Sequence, residues 1–167
     1  VLVARSFGLF SHSKPPLLIL RGGGAAARSV AEAWAKAGGE IYCVTGRRPL
    51  DERGPWASSL ISSLDGSNLS SKLYIDFDSG LEGNSDHPPP IQVDIQLSPS
   101  YNDLGSIYPV QGSTGTLHLD GRWMLAAQHL IAWAIFIEPS RREYLPSLPL
   151  LLYRLSDVEH NMNINKS

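Results

Sequence analysis

A strand–glycine–helix–glycine–strand pattern near the amino end constrains the fold of this 167-residue chain more than any other feature. The unbroken apolar run Leu17–Leu20 stops at three glycines, and an alanine-rich stretch over Ala25–Ala37 then predicts a helix. After Gly38 and Gly39, the apolar run Ile41–Val44 predicts a second strand. Short apolar runs are typical of strands buried on both faces of a parallel sheet, and parallel neighbours need a crossover between them. The pattern therefore predicts a βαβ unit.

Hydrophobic periodicity predicts the remaining elements. The first helix carries an apolar stripe at positions i, i+3, i+4 and i+7, which are Val30, Ala33, Trp34 and Ala37. Such a stripe is expected to pack against a sheet. The later predictions are a short helix over Trp56–Leu64, strands over Leu73–Phe77 and Ile91–Leu97, a strand ending near Asp120, and a buried helix over Trp123–Ile137. Together these elements predict an α/β fold with a partial parallel sheet and flanking helices.

The predicted elements group into one α/β domain over residues 15–137. Residues 1–14 are expected to form a flexible or targeting-like segment, because they carry Arg and Ser among apolar residues and the first acidic residue is Glu32. Residues 138–167 are expected to form a proline-rich extension with a disordered tail from His160. The expected compartment is the cytoplasm, and a mitochondrion or another organelle is the alternative.

Charge and composition exclude several classes of protein. The formal net charge of −2 excludes a generally basic nucleic-acid-binding domain. Residues 1–53 carry a net charge of +4 and residues 54–120 carry −7, so the acidic middle is either a partner-facing surface or a set of solvated loops. The apolar segment 123–137 is a second candidate for contact with a protein partner, and it is shorter than the roughly 20 residues of a transmembrane helix. The single cysteine and the spacing of the histidines predict no metal site.

The three glycines stand where the chemistry of dinucleotide binding needs them. A pyrophosphate binds backbone N–H groups at a helix N-terminus, and glycine lets the backbone approach it closely. Gly22, Gly23 and Gly24 follow a predicted strand and precede a predicted helix. With these residues, the segment Leu17–Arg48 resembles the opening of the short-chain dehydrogenase/reductase family. The resemblance implies a Rossmann fold, an NAD(P) cofactor, and contacts from the glycines to its diphosphate.

Four arginines modify what the resemblance implies about the cofactor. Arg21 stands where the family has threonine, and the later glycines of the family pattern fall on or beside Ala26 and Arg28. We expect the Arg28 guanidinium to bind phosphate instead. After the second strand, Arg47 and Arg48 occupy the region where an acidic residue would favour NAD, which implies NADP(H). The alternative is that these are two solvated surface arginines.

The sequence offers no clear catalytic pair. The family uses Tyr-x-x-x-Lys, in which the lysine lowers the pKa of the phenol for proton exchange with the substrate. None of the six tyrosines is followed by lysine four residues later. The resemblance therefore implies an NADP(H)-binding, oxidoreductase-like domain that is truncated or catalytically degenerate, and whether it is an enzyme stays open. The alternative is a non-catalytic accessory or structural subunit of a larger, organellar complex.

Overall fold

The computed structural model describes residues 1–11, 14–64, 71–78, 88–100, 107–137, 140 and 144–164. The α-helices in these residues are α1 (Leu2–Ser6), α2 (Ala25–Lys36), α3 (Gly121–Ala132) and α4 (Leu148–Ile164). A 3₁₀ turn covers Ala57–Ser59, and a π-helical turn, Trp133–Ile137, continues α3. The strands are β1 (Leu17–Arg21), β2 (Glu40–Val44), β3 (Leu60–Ile61), β4 (Lys72–Asp76), β5 (Ile95–Leu97), β6 (Val110–Gln111) and β7 (Leu117–Leu119).

The strands form one sheet in the order β3-β2-β1-β4-β5-β7-β6. Every neighbouring pair is parallel except β6 with β7. β1 is an inner strand, in which Leu17 pairs with Glu40 of β2 on one side and with Lys72 of β4 on the other. The order 3-2-1-4-5 of the first five strands is that of a doubly wound, nucleotide-binding sheet. The fold is Rossmann-like. The predicted α/β class is confirmed.

The apolar run of β1 is buried from both sides because its two faces belong to two separate cores. Leu18 and Leu20 lie in a large cluster that also contains helix residues. Leu17 and Ile19 lie in a smaller cluster with Tyr74 of β4. These four aliphatic side chains of β1 are at most 1% exposed. Burying one side chain of this kind contributes about 1.5–3 kcal/mol, which explains why a continuous apolar run predicted this strand correctly.

The described helices all pack on the same face of the sheet. The large cluster that contains Leu18 and Leu20 also contains Trp34 of α2, Trp123 of α3 and Leu152 of α4. The described residues packed on the opposite face come from strands and loops. They are Tyr42, Val44, Ile61, Leu64, Ile91 and Val93. The described part of the domain is therefore a sheet with one helical layer.

The buried face of α2 differs from the predicted stripe. Ala27, Ala31 and Trp34 are fully buried, whereas Ala33 is exposed. The reason is the indole of Trp34, whose N–H donates to the carbonyl of Pro16 at 3.3 Å and to that of Glu40 at 3.0 Å. These carbonyls lie at the amino ends of β1 and β2, and reaching them fixes the rotation of the helix.

The short helix predicted over Trp56–Leu64 is wrong. A 3₁₀ turn over Ala57–Ser59 leads directly into β3, which pairs with Ile41 and Tyr42 of β2. The indole N–H of Trp56 donates to the carbonyl of Asp51 at 2.7 Å, and this contact anchors the turn. Pairing with the free edge of β2 satisfies backbone groups that a short, isolated helix would leave to water.

The later predictions are confirmed in part. β4 covers most of the predicted strand Leu73–Phe77, but of the predicted strand Ile91–Leu97 only the last three residues form β5. β7 ends at Leu119, and the carboxylate of Asp120 then caps α3 by accepting the N–H of Arg122 at 3.0 Å. The predicted strand end and the helix after it are therefore confirmed. The predicted burial of this helix is wrong over its second half, where Trp133, Ile135 and Phe136 are 53–81% exposed because only one face of the helix packs on the core.

Both ends of the described chain pack on the core. Val3, Ala4 and Leu9 are at most 5% exposed, so residues 2–9 are held in the fold where a flexible segment was expected. At the other end, Leu148 and Leu152 of α4 are 2% exposed, and α4 continues to Ile164, beyond the expected start of disorder at His160. Among the described residues, no helix combines the length and hydropathy needed to cross a bilayer.

Candidate functional site

The carboxyl edge of the sheet gathers the residues that the sequence singled out. From β1 the chain continues to β2 and β3 on one side of β1, whereas β4 and β5 lie on its other side. The direction in which the chain crosses the sheet therefore reverses between β1 and β4. In open α/β sheets, ligands bind in the crevice at such a switch point, outside the carboxyl ends of the strands. Gly22 is the first residue after β1, and Gly24 is the N-cap of α2.

Both the backbone conformation and the close neighbours of residue 22 require glycine at this position. Its φ of +99° lies in the left-handed region that side chains rarely adopt. A Cβ at this position would also lie 3.1 Å from the Cβ of Phe77 and 3.2 Å from a carboxylate oxygen of Asp78. The backbone N–H of Phe77 donates to the carbonyl of Arg21 at 2.9 Å and holds the two strand ends together. Gly22 thus permits close packing within the edge.

Gly23 is covered by the loop that follows β2. A Cβ on Gly23 would overlap the backbone carbonyl of Pro49 and lie 2.8 Å from the carbonyl oxygen of Arg48. The loop that carries Arg47 and Arg48 therefore closes on the glycine bend. The structure brings together two features that the sequence predicted separately.

Gly24 is the open glycine of the three. Its backbone is extended, with φ −68° and ψ −178°, and a Cβ there would meet no atom within 4 Å. No side chain caps α2, and the N–H groups of Ala25, Ala26 and Ala27 make no hydrogen bond to another described residue. Free N–H groups at a helix N-terminus attract anions through hydrogen bonds and the helix dipole.

The three candidate arginines are solvent-exposed. Arg28 lies in the first turn of α2, and its backbone N–H donates to Gly24 at 3.0 Å. Arg47 and Arg48 follow β2 in the loop that closes on Gly23. None of the three forms an ion pair with a described carboxylate. Their guanidinium groups are therefore free to bind an anion.

Asp78 is a site residue that the sequence analysis did not single out. Its Oδ2 accepts the backbone N–H of Arg47 at 2.6 Å, and its own N–H donates to Oδ1 of Asp76 at 2.8 Å. The carboxylate also packs so closely on Gly46 that a Cβ there would overlap it. Because a carboxylate repels phosphate, an anion at this edge is directed away from Gly22 and towards Gly24. Acidic residues directly after an apolar strand are the sequence signal for this position.

A buried charged group lies beside Gly22. The Nη1 of Arg21 is 3.7 Å from Oδ2 of Asp76, and the two side chains are 17% and 6% exposed. The hydroxyl of Tyr74 lies 3.4 Å from the same Oδ2. Burial and then the charge of Asp76 raise the pKa of Tyr74 to about 12, so the phenol stays protonated at neutral pH. The Nε of Arg21 is buried and has no hydrogen-bond partner among the described residues.

An open cavity of about 620 Å³ lies beside the end of β2. Its lining includes Cys43, Val44, Leu50, Glu52 and Ile61. The volume is in the range of small-molecule and cofactor sites, about 300–1,000 Å³. Burial and then the charge of Glu52 raise the pKa of Cys43, which keeps the thiol neutral. The cavity therefore offers a mixed surface, in which the hydroxyls of Thr45 and Ser62 and the carboxylate of Glu52 lie among apolar side chains.

The described residues supply no evident catalytic pair or metal cluster. No group of three or more His, Cys, Asp or Glu side chains comes together among them. At the carboxyl end of β5, the hydroxyls of Ser98 and Ser100 are 3.3 Å apart. Neither a protein-family model nor a curated protein matches the sequence. What places this chain among known architectures is its Rossmann-like topology.

Proposed function

We propose that this chain is an NADP(H)-binding domain of the oxidoreductase type, with its cofactor site at the carboxyl edge of the sheet. The observation that carries the proposal is the open N-terminus of α2, where Gly24 faces free space and the next three N–H groups are unbonded among the described residues. This is the chemistry that a diphosphate needs. The location at the switch point of a Rossmann-like sheet supports the same assignment.

Different residues of the site would contact different parts of the proposed ligand. Gly24 and the first turn of α2 would hold the diphosphate, with Arg28 as a further cation. Arg47 and Arg48, in the loop beside this turn, would recognise the additional phosphate of NADP(H). The cavity beside β2 has the volume for an adenosine group, with apolar side chains for the base and polar groups for the ribose. Asp78 would keep the phosphates on the Gly24 side.

When bound, the nicotinamide would supply hydride-transfer chemistry, as it does in other oxidoreductases. The contribution of this chain would be to bind and orient the cofactor, and no described residue pair is assigned to proton transfer. If the chain binds no dinucleotide, the accessory-subunit hypothesis takes precedence.

The test is a calorimetric titration of the full chain with NADPH, using variants at Gly24. Gly24→Asp and Gly24→Asn place side chains of the same shape in open space, and both residues are good N-caps, so both variants should fold. Only aspartate repels phosphate. We expect the aspartate variant to bind NADPH at least about tenfold more weakly than the asparagine variant. Absence of NADPH binding by the unchanged chain, or equal affinities of the two variants, would overturn the proposal.

A further inference from the structure

Exposed apolar side chains are concentrated on one part of the molecule. Ten of the twelve large apolar side chains that are exposed in the described residues lie between positions 125 and 158. We call these ten residues the α3–α4 surface: Leu125, Ile131, Trp133, Ile135, Phe136, Tyr144, Leu150, Tyr153, Leu155 and Val158. The other two, Tyr108 and Val110, lie at β6. The helices α3 and α4 pack against each other, and both bury their opposite faces in the same core cluster. Their exposed residues therefore lie on the side of the helical layer that faces away from the sheet.

The α3–α4 surface is large enough for a stable interface. Its exposed fractions range from 39% at Leu125 to 81% at Phe136. With large side chains of roughly 150–250 Å² each, the exposed apolar area is on the order of 1,000 Å². The largest apolar patch of a soluble monomer is about 300–600 Å², and a typical interface covers about 800 Å² on each partner. The area therefore matches one side of a dimer interface.

The surface carries both a protruding ring and a recess. Phe136 protrudes from the π-helical turn and is the most exposed of the ten side chains. A recess of about 280 Å³ lies close by and is almost entirely apolar. It is lined by His129, Leu130, Trp133, Leu145, Pro146 and Leu151. Trp133 lines this recess and lies about one turn before Phe136, so the ring and the recess are close together. A twofold axis between them would place the Phe136 ring of each copy in the recess of the other.

Two charges on α4 are complementary to each other under a twofold axis across this helix. Arg154 and Asp157 lie on the part of α4 that carries the exposed Leu150 and Tyr153, and neither forms an ion pair with a described residue. In two antiparallel α4 helices related by a twofold axis, Arg154 of each copy faces Asp157 of the other. A charge pattern that is complementary to itself favours a second copy of this chain as the partner.

We propose that two copies of this chain associate through the α3–α4 surface, with Phe136 of each copy seated in the recess of the other. This association does not depend on the proposed function, since the α3–α4 surface shares no residue with the cofactor site.

The experiment is analytical ultracentrifugation of the full chain across about 1–100 µM, where a dimer of ordinary affinity dissociates on dilution. Phe136→Glu should weaken the dimer at least about tenfold, because it places a charge in the apolar recess. The matched control is Val110→Glu, which adds the same charge at an exposed apolar position on β6 and should leave the dissociation constant unchanged. Circular dichroism confirms that each variant is folded.

A charge exchange tests whether the partner is a second copy in the proposed arrangement. Arg154→Asp should weaken association by about fivefold, since it removes two cross-pairs and adds repulsion. Adding Asp157→Arg to the same chain restores the pairs and should return the affinity to within about twofold of the original. A monomeric chain across the whole range, a dimer unaffected by Phe136→Glu, or a charge exchange without recovery would each overturn the proposal.

Discussion

The carbonyl of Pro49 lies against Gly23, and this contact joins the loop after β2 to the bend between β1 and α2. The contact brings the backbone of Arg48 to the glycine bend, so two segments from different parts of the βαβ unit share one edge. The chain itself thus covers Gly23, whereas a Cβ at Gly24 would meet open space. The glycines of the bend therefore have different roles, close packing at the first two and an open helix N-terminus at the third.

The packing at Gly23 predicts a loss of stability on substitution. We expect Gly23→Ala to lower the free energy of unfolding by about 1–3 kcal/mol, because the new Cβ must displace the backbone at Pro49. Urea unfolding followed by tryptophan fluorescence measures this change. The matched control is Gly24→Ser, which meets open space, supplies a favourable N-cap and should change the free energy by less than about 1 kcal/mol. Equal losses in the two variants would contradict the contact.

The buried phenol of Tyr74 predicts that stability falls at high pH. Burial and the charge of Asp76 raise the pKa of Tyr74 from 10.0 to about 12 in the folded chain. The unfolded chain therefore releases this proton at a lower pH, and the free energy of unfolding decreases as pH rises from about 10 through about 12. A gap of this size corresponds to roughly 2–3 kcal/mol, and the stabilisation is fully present below about pH 10.

Two tyrosine variants isolate this effect in urea unfolding measured between about pH 8 and pH 12. Tyr74→Phe keeps the buried ring but has no titrating phenol, so its stability should fall less steeply than that of the unchanged chain. Tyr144→Phe removes a phenol that is 77% exposed and should leave the slope as it is. If the Tyr74→Phe curve runs parallel to that of the unchanged chain, the phenol does not titrate as described.

The two arginines after β2 predict discrimination between cofactors, provided that the proposed function holds. Replacing both Arg47 and Arg48 by glutamine should weaken NADPH binding by about 10–100-fold, because charge-assisted bonds to phosphate are worth about 1.5–3 kcal/mol. NADH lacks this phosphate, so its affinity should change by less than about threefold. Lys36→Gln, which removes a cation at the opposite end of α2, is the control. Equal losses for NADPH and NADH would show that the arginines do not select the cofactor.

Local sequence signals were sufficient to predict the βαβ unit of β1, α2 and β2. The continuous apolar run of β1 predicted a buried strand, and the second run predicted its parallel neighbour β2. The glycines on either side of α2 predicted its limits to within one residue at each end. These signals are local, since they depend on which residues avoid water and which positions need glycine. The same local signals singled out Gly22–Gly24 and Arg47–Arg48 separately, each directly after a predicted strand.

The way in which these parts meet depends on contacts between distant segments of the chain. The strand β3 forms because the edge of β2 is free to pair, and α2 turns its Trp34 towards carbonyls at the ends of two strands. Asp78 reaches the N–H of Arg47, 31 positions earlier in the chain, and Arg21 finds Asp76 on a neighbouring strand. Such contacts depend on strand order and register, which no local pattern encodes. They form only when distant segments are brought together by burial of the sheet, and they decide which glycine stays open to a ligand.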